Sequence, residues 1–230
     1  MKPARRRFLI PGVTVVVMLA MLIGLGTWQV YRLHWKERIM ARIAVAEAAP
    51  PIPLQPDPQP YTKIAVTGRF RYDLAAQFGA EVRDTSAGPT MGNYQIVPLE
   101  RADAPPILVD RGWVPQMRQA PLDDPPGQVT VAGYVRPTEK PHWFSPVDDL
   151  ATRQFYTLDT ATIAMALRLP APLPFTLIAL GPASSIEYPV PAQTLPRPPN
   201  NHLTYAITWY GLAVALIVIF IVWARKPSRT

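Results

Sequence analysis

Two stretches of this chain, Phe8 to Gly26 and Tyr205 to Trp223, each run 19 residues without a charged side chain. At 1.5 Å per residue a helix of that length measures about 28 Å, close to the ~30 Å hydrocarbon core of a bilayer. An ordinary globular helix keeps a polar face, and these segments keep none. They predict two transmembrane helices, and everything else in the chain has to fit between or beside them. A cleaved signal peptide is the competing reading of the first segment, and "RRRFL" hints at a twin-arginine signal. Its apolar run is long for a signal peptide, and the nearest A-x-A-like site, Ala46 to Ala48, lies too far downstream, so an uncleaved anchor is expected.

The charge distribution sets the orientation. Lys2, Arg5, Arg6, Arg7, Arg225, Lys226 and Arg229 flank the two segments, leaving 16 Lys and Arg to balance 16 Asp and Glu in between. A neutral body with two basic ends is not the footprint of a nucleic-acid binder, so no nucleic acid is expected as partner. Basic flanks are retained on the cytoplasmic side, which puts both termini there and the central domain outside. Arg32, Lys36, Arg38 and Arg42 leave the first helix nearly undecided, and the second helix, followed by Arg225, Lys226 and Arg229, decides. With seven residues ahead of the first span there is no room for a transit peptide, so the expected location is a bacterial inner membrane with a periplasmic domain.

Prolines mark the internal boundaries. "PPIPLQPDPQP", Pro50 to Pro60, carries six and predicts an extended spacer, and a second proline-rich stretch returns toward the membrane. The expected order is a basic tail over 1–7, a transmembrane helix over 8–28, a helical extension over 29–49, the strut over 50–60, a β-rich domain over 61–180, a return linker over 181–201, a transmembrane helix over 202–224 and a basic tail over 225–230. Within the domain, "KIAVTGRF" and "QVTVAGYVRP" alternate with period two. The alternation sets Ile64, Val66 and Phe70 against Lys63, Thr67 and Arg69, and Val129, Val131 and Val135 against Gln128, Thr130, Tyr134 and Arg136. "NYQIVPLE", "PPILVDRGWVP", "RQFYTLD" and "PFTLIAL" read as further strands. "DTATIAMALRL" reads as one helix, capped by Asp159 or Thr160 with Ile163, Ala164 and Leu167 at helical spacing. Short strands without alternating long helices predict an α+β membrane protein, its two transmembrane helices flanking an antiparallel, β-rich extracytoplasmic domain with at least one short helix.

Little in the chain points to catalysis. There is no cysteine, so no disulfide and no thiolate metal site. H-E-x-x-H, P-loop, G-x-G-x-x-G and G-x-S-x-G motifs are missing, and clustered His and Met suited to copper are not seen. Asp123 with Asp124, and Asp148 with Asp149, are adjacent in sequence among prolines and read as solvated loop charges. Attention moves to the membrane edge. A helical first segment places Gly24, Trp28, Tyr31 and Trp35 on one stripe with Gln29, Arg32 and Lys36 beside it, and His202, Tyr205, Ala206 and Trp209 form a second stripe. Interfacial aromatics account for the tryptophans. An imidazole there is either satisfied by headgroups and water or is a metal or haem ligand. Gly24, Gly211 and Ala215 would permit close helix packing.

"GLGTWQVYRLHWKERIMARI", "GRF", "ILVDRGWVP", "GYVRPTE" and "NNHLTYAITWYGLA", taken in order, resemble the motifs of the Surfeit-locus-one family of cytochrome c oxidase assembly factors. The likeness covers both apolar segments and most of the strands. Asp110 stands where many members of that family have Asn. The resemblance implies a two-span inner-membrane protein, not an enzyme, that binds haem a transiently and helps mature the oxidase core subunit. That core subunit, the membrane lipid and conceivably the haem a synthase are the implied partners. It marks His202 as a haem contact; the expectation built on that is His202 as the ligand to the haem iron, Tyr205, Trp209 and Trp28 as packing surface for the macrocycle, and Arg32 and Lys36 as partners of the propionates. The competing expectation is a membrane-anchored scaffold that stabilises assembly intermediates without haem, with Arg111, Gly112 and Trp113 as candidate surface. A membrane-anchored enzyme would need Asp110 and Arg111 to line a deep pocket.

Overall fold

The computed structural model describes residues 3–85, 88–117, 120–182 and 188–226, with the side chains of 3–8 left aside. Lys2 and Arg229 of the basic tails, the side chains of Arg5, Arg6 and Arg7, and part of the return linker lie outside the described residues. The chain forms two compact units, 1–42 with 197–230, and 43–196.

The first unit is a helix pair. Helix α1 runs without interruption over Pro3–Ala48, and a second long helix closes the chain over His202–Arg225. Both are long and apolar enough to cross a membrane. At 1.5 Å per residue α1 is about 69 Å long, roughly twice the hydrocarbon thickness, so it cannot lie in a bilayer over its whole length. Threonines inside the apolar helices satisfy their hydroxyls on their own backbone: Thr14 donates to the Ile10 carbonyl at 3.0 Å, and Thr27 to that of Ile23 at 2.9 Å.

The helices pack through a heptad seam. On α1 the shielded positions Val15, Leu19, Leu22, Gly26, Gln29, Leu33 and Lys36 recur at alternating spacings of four and three. On the closing helix His202, Ala206, Trp209, Ala213, Leu216 and Phe220 do the same. The two run antiparallel. Gly26 is the close-approach residue, since a Cβ there would stand 2.8 Å from the ring of Tyr210, whose hydroxyl lies 3.1 Å from Thr27 Oγ1. Gly24, Gly211 and Ala215, which would permit close packing within one chain or between two, are not at this contact: Gly24 and Gly211 have open space around them and Ala215 is exposed, while the seven-residue repeat places Gly26, Ala206 and Ala213 on the seam.

The second unit is built on one sheet of eight strands: β1 (Ile52–Pro53), β2 (Lys63–Phe70), β3 (Ala76–Thr85), β4 (Gly88–Arg101), β5 (Ala104–Pro115), β6 (Gln128–Pro137), β7 (Gln154–Phe155) and β8 (Phe175–Ala179). Their order is β1-β2-β6-β8-β5-β4-β3-β7, and β4 also meets β2 through Arg69↔Glu100 and Phe70↔Leu99. That last pairing closes β2, β6, β8, β5 and β4 into a small barrel. The sheet is mixed rather than purely antiparallel, with β1 on β2, β7 on β3 and β8 on β5 parallel. Parallel neighbours require a long crossover, and the stretch between β5 and β8, holding helix α2 (Thr160–Ala166), supplies one. The helix His202–Arg225 is then α3.

Two cores share the same strands. Ile64, Val66, Phe70, Val97, Leu99, Ile107, Val109, Val135, Phe175 and Leu177 fill the barrel. Ile96 and Leu108, pointing the other way from β4 and β5, pack outside with Ala76, Phe155, Leu158, Ile163 and Leu167 beneath α2. Both faces of β4 and β5 are therefore buried, which is why their sequences read as continuous apolar runs. Asp159 caps α2, accepting from the Ala161 amide at 3.1 Å.

Several local expectations change. Tyr134, on the face of β6 opposite Val135, is also buried, because the outer face of the barrel is itself covered there. "RQFYTLD" contributes only the two residues of β7. Strand β3 escaped the pattern because Gly79 (φ +62) and a register shift between Phe78 and Glu81 interrupt its alternation. Inside the Pro50–Pro60 stretch Ile52 and Pro53 join the sheet as β1, and Leu54 packs on the barrel core. In the return stretch Val190 bridges to Trp113, Ala192 bridges to Leu180, and Leu195 is buried.

Candidate functional site

At the open end of the helix pair the seam turns polar. His202 occupies the first turn of α3, and its Nδ1 lies 2.7 Å from Oε1 of Gln29 on α1. A carboxamide oxygen only accepts, so Nδ1 is the donor, and in the neutral form of the ring this leaves the lone pair on Nε2. About two turns further along α1, Lys36 Nζ donates to the carbonyl of Pro199, just ahead of α3. Arg32 lies between them in sequence. Its guanidinium stacks 4.3 Å above the Trp35 ring, while its Nε is buried without a hydrogen-bond acceptor among the described residues. Asn200 Oδ1 is a second buried polar atom without a partner in this stretch.

The structure divides the predicted site residues. His202 and Trp209 stand on the seam with Gln29, and Lys36 is tied to the residue run leading into α3. Trp28 and Tyr205 are off the seam and more than half exposed, at 52% and 55%. Tyr31 and Trp35 are exposed on the same helix, so the aromatic stripe of α1 decorates the outside of the pair. Heptad spacing puts Gln29, not Trp28, opposite His202. Gln29, which the sequence reading set beside the aromatic stripe without a role, is identified by the seven-residue repeat through Gly26, Gln29 and Leu33.

The β-domain holds its own buried polar groups, and they serve architecture. Arg111 spreads over the rings of Phe70 and Tyr72 at 5.1 and 5.0 Å. It donates to Gln95 Oε1 at 3.0 Å, to Asp124 Oδ1 at 2.6 Å and to the Asp123 carbonyl. Asp124 is exposed on its loop, as a solvated loop charge would be, and is in addition half of an ion pair with the buried Arg111. Trp113 is 2% exposed, and Gly112 (φ +125) leaves no room for a Cβ, which would stand 2.1 Å from the Val190 carbonyl oxygen. "DRGWVP" is therefore interior β-strand, and not the surface that the scaffold reading expected of it. The other acidic pair behaves locally: Asp148 accepts from the Tyr156 amide at 2.7 Å, and Asp149 from the Ala151 amide at 3.0 Å.

Asp110 is the strongly perturbed acid. Burial drives its carboxyl up to about 7, against the Gly112 amide, which donates to it at 2.9 Å, and the charges of Arg136 and Arg83. Burial likewise pushes the Tyr94 hydroxyl up to about 12, helped by its hydrogen bond to Glu81. A polar cavity of about 370 Å³ opens in this unit, lined by Gln77, Asn93, Gln95, Gln116 and Thr152 among others. Asp110 and Arg111 are not among its lining residues.

A family model described as the SURF1 family matches residues 16–214. A SURF1-like protein of Rickettsia felis is 31% identical over 222 residues, covering 94% of this chain and 97% of that protein. Surfeit locus protein 1 of Rattus norvegicus is 32% identical over 226 residues, covering 90% of this chain and 72% of its own length. The human protein of the same name is 30% identical over 227 residues.

Proposed function

Because the chain belongs to the SURF1 family, we propose that it is a cytochrome c oxidase assembly factor of a bacterial inner membrane that binds haem a at the edge of its helix pair. It assists insertion of the haem into the oxidase core subunit and receives it from the synthase. It acts as a carrier and not as an enzyme. Both termini lie in the cytoplasm and the β-domain faces the periplasm, in keeping with the basic ends and the two apolar helices.

The observation that carries this reading is the polar end of the seam. His202 turns Nδ1 to Gln29 and leaves Nε2 for a ligand, and on α1 the Nε of Arg32 is buried with no hydrogen-bond partner among the described residues. These groups fit the cargo. Haem a when bound supplies an iron that takes an imidazole nitrogen axially, two propionates and an isoprenoid tail. His202 offers the ligand nitrogen, Arg32 the unsatisfied donor for a propionate, and Trp209 with the exposed Tyr205 and Trp28 an apolar aromatic surface. Lys36, already engaged with Pro199, holds the approach to α3 and adds positive charge. The isoprenoid tail belongs in hydrocarbon and the propionates at the charged edge, so a site at a helix end suits both.

The test is an absorption spectrum of the full-length protein purified in mild detergent from cells that make haem a, beside a His202→Ala variant expressed equally. Near-stoichiometric haem a in the wild type, with loss or a Soret shift in the variant, is expected. Two colourless or equally coloured proteins would overturn it. A second reading, a scaffold that holds assembly intermediates without haem, draws on the loop from Glu139 to Leu150. There Trp143, Phe144 and Val147 stand 86%, 64% and 90% exposed, an apolar surface of the kind that docks a partner. Co-purification of the oxidase core subunit with His202→Ala, after haem has been lost, would favour that second reading.

A further inference from the structure

We propose that Gln29 is a positioning residue for His202: its carboxamide, carried on one helix, selects the ring tautomer and aims the free nitrogen of a ligand carried on the other. The inference rests on the haem reading of the site, and its chemistry is separable from it.

An imidazole free in water interconverts between two neutral tautomers, and only a fixed hydrogen bond at one nitrogen selects which lone pair remains. His202 Nδ1 and Gln29 Oε1 lie 2.7 Å apart, and both residues stand at seam positions. The bond is partly shielded between the helices, and a neutral amide oxygen is its acceptor. Nδ1–H donation leaves Nε2 bare and fixes the ring about its Cβ–Cγ bond. Hydrogen bonding of the distal N–H also raises the basicity of the nitrogen that faces a metal.

The neighbouring side chains explain why the contact holds. Gln29 follows the close approach at Gly26 by one seam step, and the Thr27–Tyr210 hydroxyl pair lies beside it. Lys36 to the Pro199 carbonyl fixes the chain just ahead of α3. Two interhelical polar contacts and the tie from Lys36 to Pro199 thus surround the histidine in sequence, and of these only the Gln29 bond touches its ring. A ligand whose orientation is set from the opposite helix is lost when the helices slide or part. Cargo release is thereby coupled to the register of the pair, with no second iron ligand required.

The experiment uses the full chain in lipid nanodiscs, labelled with 15N and free of haem. The chain has three histidines, so long-range proton–nitrogen correlation of the imidazoles is tractable, with His202→Ala identifying the signals by subtraction. His202 is expected as the Nδ1–H tautomer in the wild type and in Gln29→Glu, and as a tautomer mixture in Gln29→Leu. On addition of haem a, Gln29→Leu should bind about 10–100-fold more weakly with a shifted Soret band. Gln29→Glu should retain binding and lower the midpoint potential, because a stronger acceptor makes the imidazole a better donor to ferric iron. Tyr210→Phe, which removes a seam hydroxyl that does not touch the ring, should leave tautomer and spectrum unchanged.

An Nε2–H tautomer in the wild type would overturn the proposal. So would a Gln29→Leu protein that matches the wild type, or equal effects from Tyr210→Phe and Gln29→Leu, which would mark general loosening of the seam. Haem binding that ignores His202→Ala defeats the functional reading alone, since the nitrogen correlation still decides the role of Gln29.

Discussion

Asp110 shows how one buried side chain makes the whole domain sensitive to pH. Its ordinary value is 3.8 and burial lifts it to about 7, so between those limits the folded domain holds a proton that the unfolded chain has released. The stabilisation from that proton is complete below about pH 4 and is lost as pH rises through about 7. Asp110→Asn keeps an oxygen for the Gly112 amide and removes the charge. The variant is expected to be more stable than the wild type at pH 8, by up to about 4 kcal/mol, with the difference shrinking toward pH 4. Urea denaturation at the two pH values measures it. Gly112→Ala acts at the next position but one and in the opposite direction. With φ at +125 and the Val190 oxygen 2.1 Å from the new Cβ, it should cost about 3 kcal/mol or more, read as a fall in Tm.

Among the elements, the loop over the barrel mouth and the helix seam each depend on one residue. Arg111 is the only side chain in the described residues that bonds both Gln95 on β4 and Asp123 and Asp124 in the loop, while its planar face covers Phe70 and Tyr72. Lysine offers neither the fork nor the flat face. Arg111→Lys should therefore speed amide exchange selectively across 120–127, leaving β5 protected, which hydrogen-exchange mass spectrometry resolves. In the seam, Gly26→Val places carbon where the Tyr210 ring lies. The expected result is a splayed pair, with lower cross-linking yield between Gln29→Cys and His202→Cys in this otherwise cysteine-free chain. Gly24→Val, with open space around it, is the control that should cross-link normally.

At the level of the whole molecule, the unit 43–196 carries both hydrophobic cores, the closed barrel and α2. It should fold without the helices. A fragment of those residues is expected to unfold cooperatively by circular dichroism and to reproduce the pH dependence assigned to Asp110. The helix pair has no such core, its outer surface being apolar, and it should require detergent or lipid to remain dispersed. Chain order makes this division possible: the segments of the first unit lie at the two ends, so the domain between them forms its contacts within one continuous stretch.

Much of this was legible without coordinates. Uncharged length announced α1 and α3, period two marked β2 and β6, and Asp159 with its apolar spacing located α2, because each signal is local and covers a few turns or one strand. Local signals do not say which strands are neighbours. The parallel β5–β8 pairing, the burial of Tyr134, the ion pair of Arg111 with Asp124 and the interior place of Trp113 all arise from segments far apart in sequence. The same holds where the two long helices meet. The sequence marked His202 as unusual by itself, since an imidazole before an uncharged run is visible at a glance. That Gln29 faces it, and that Trp28 does not, was decided by the packing of two helices separated by the whole domain, because only their seven-residue registers in contact choose which side chains meet.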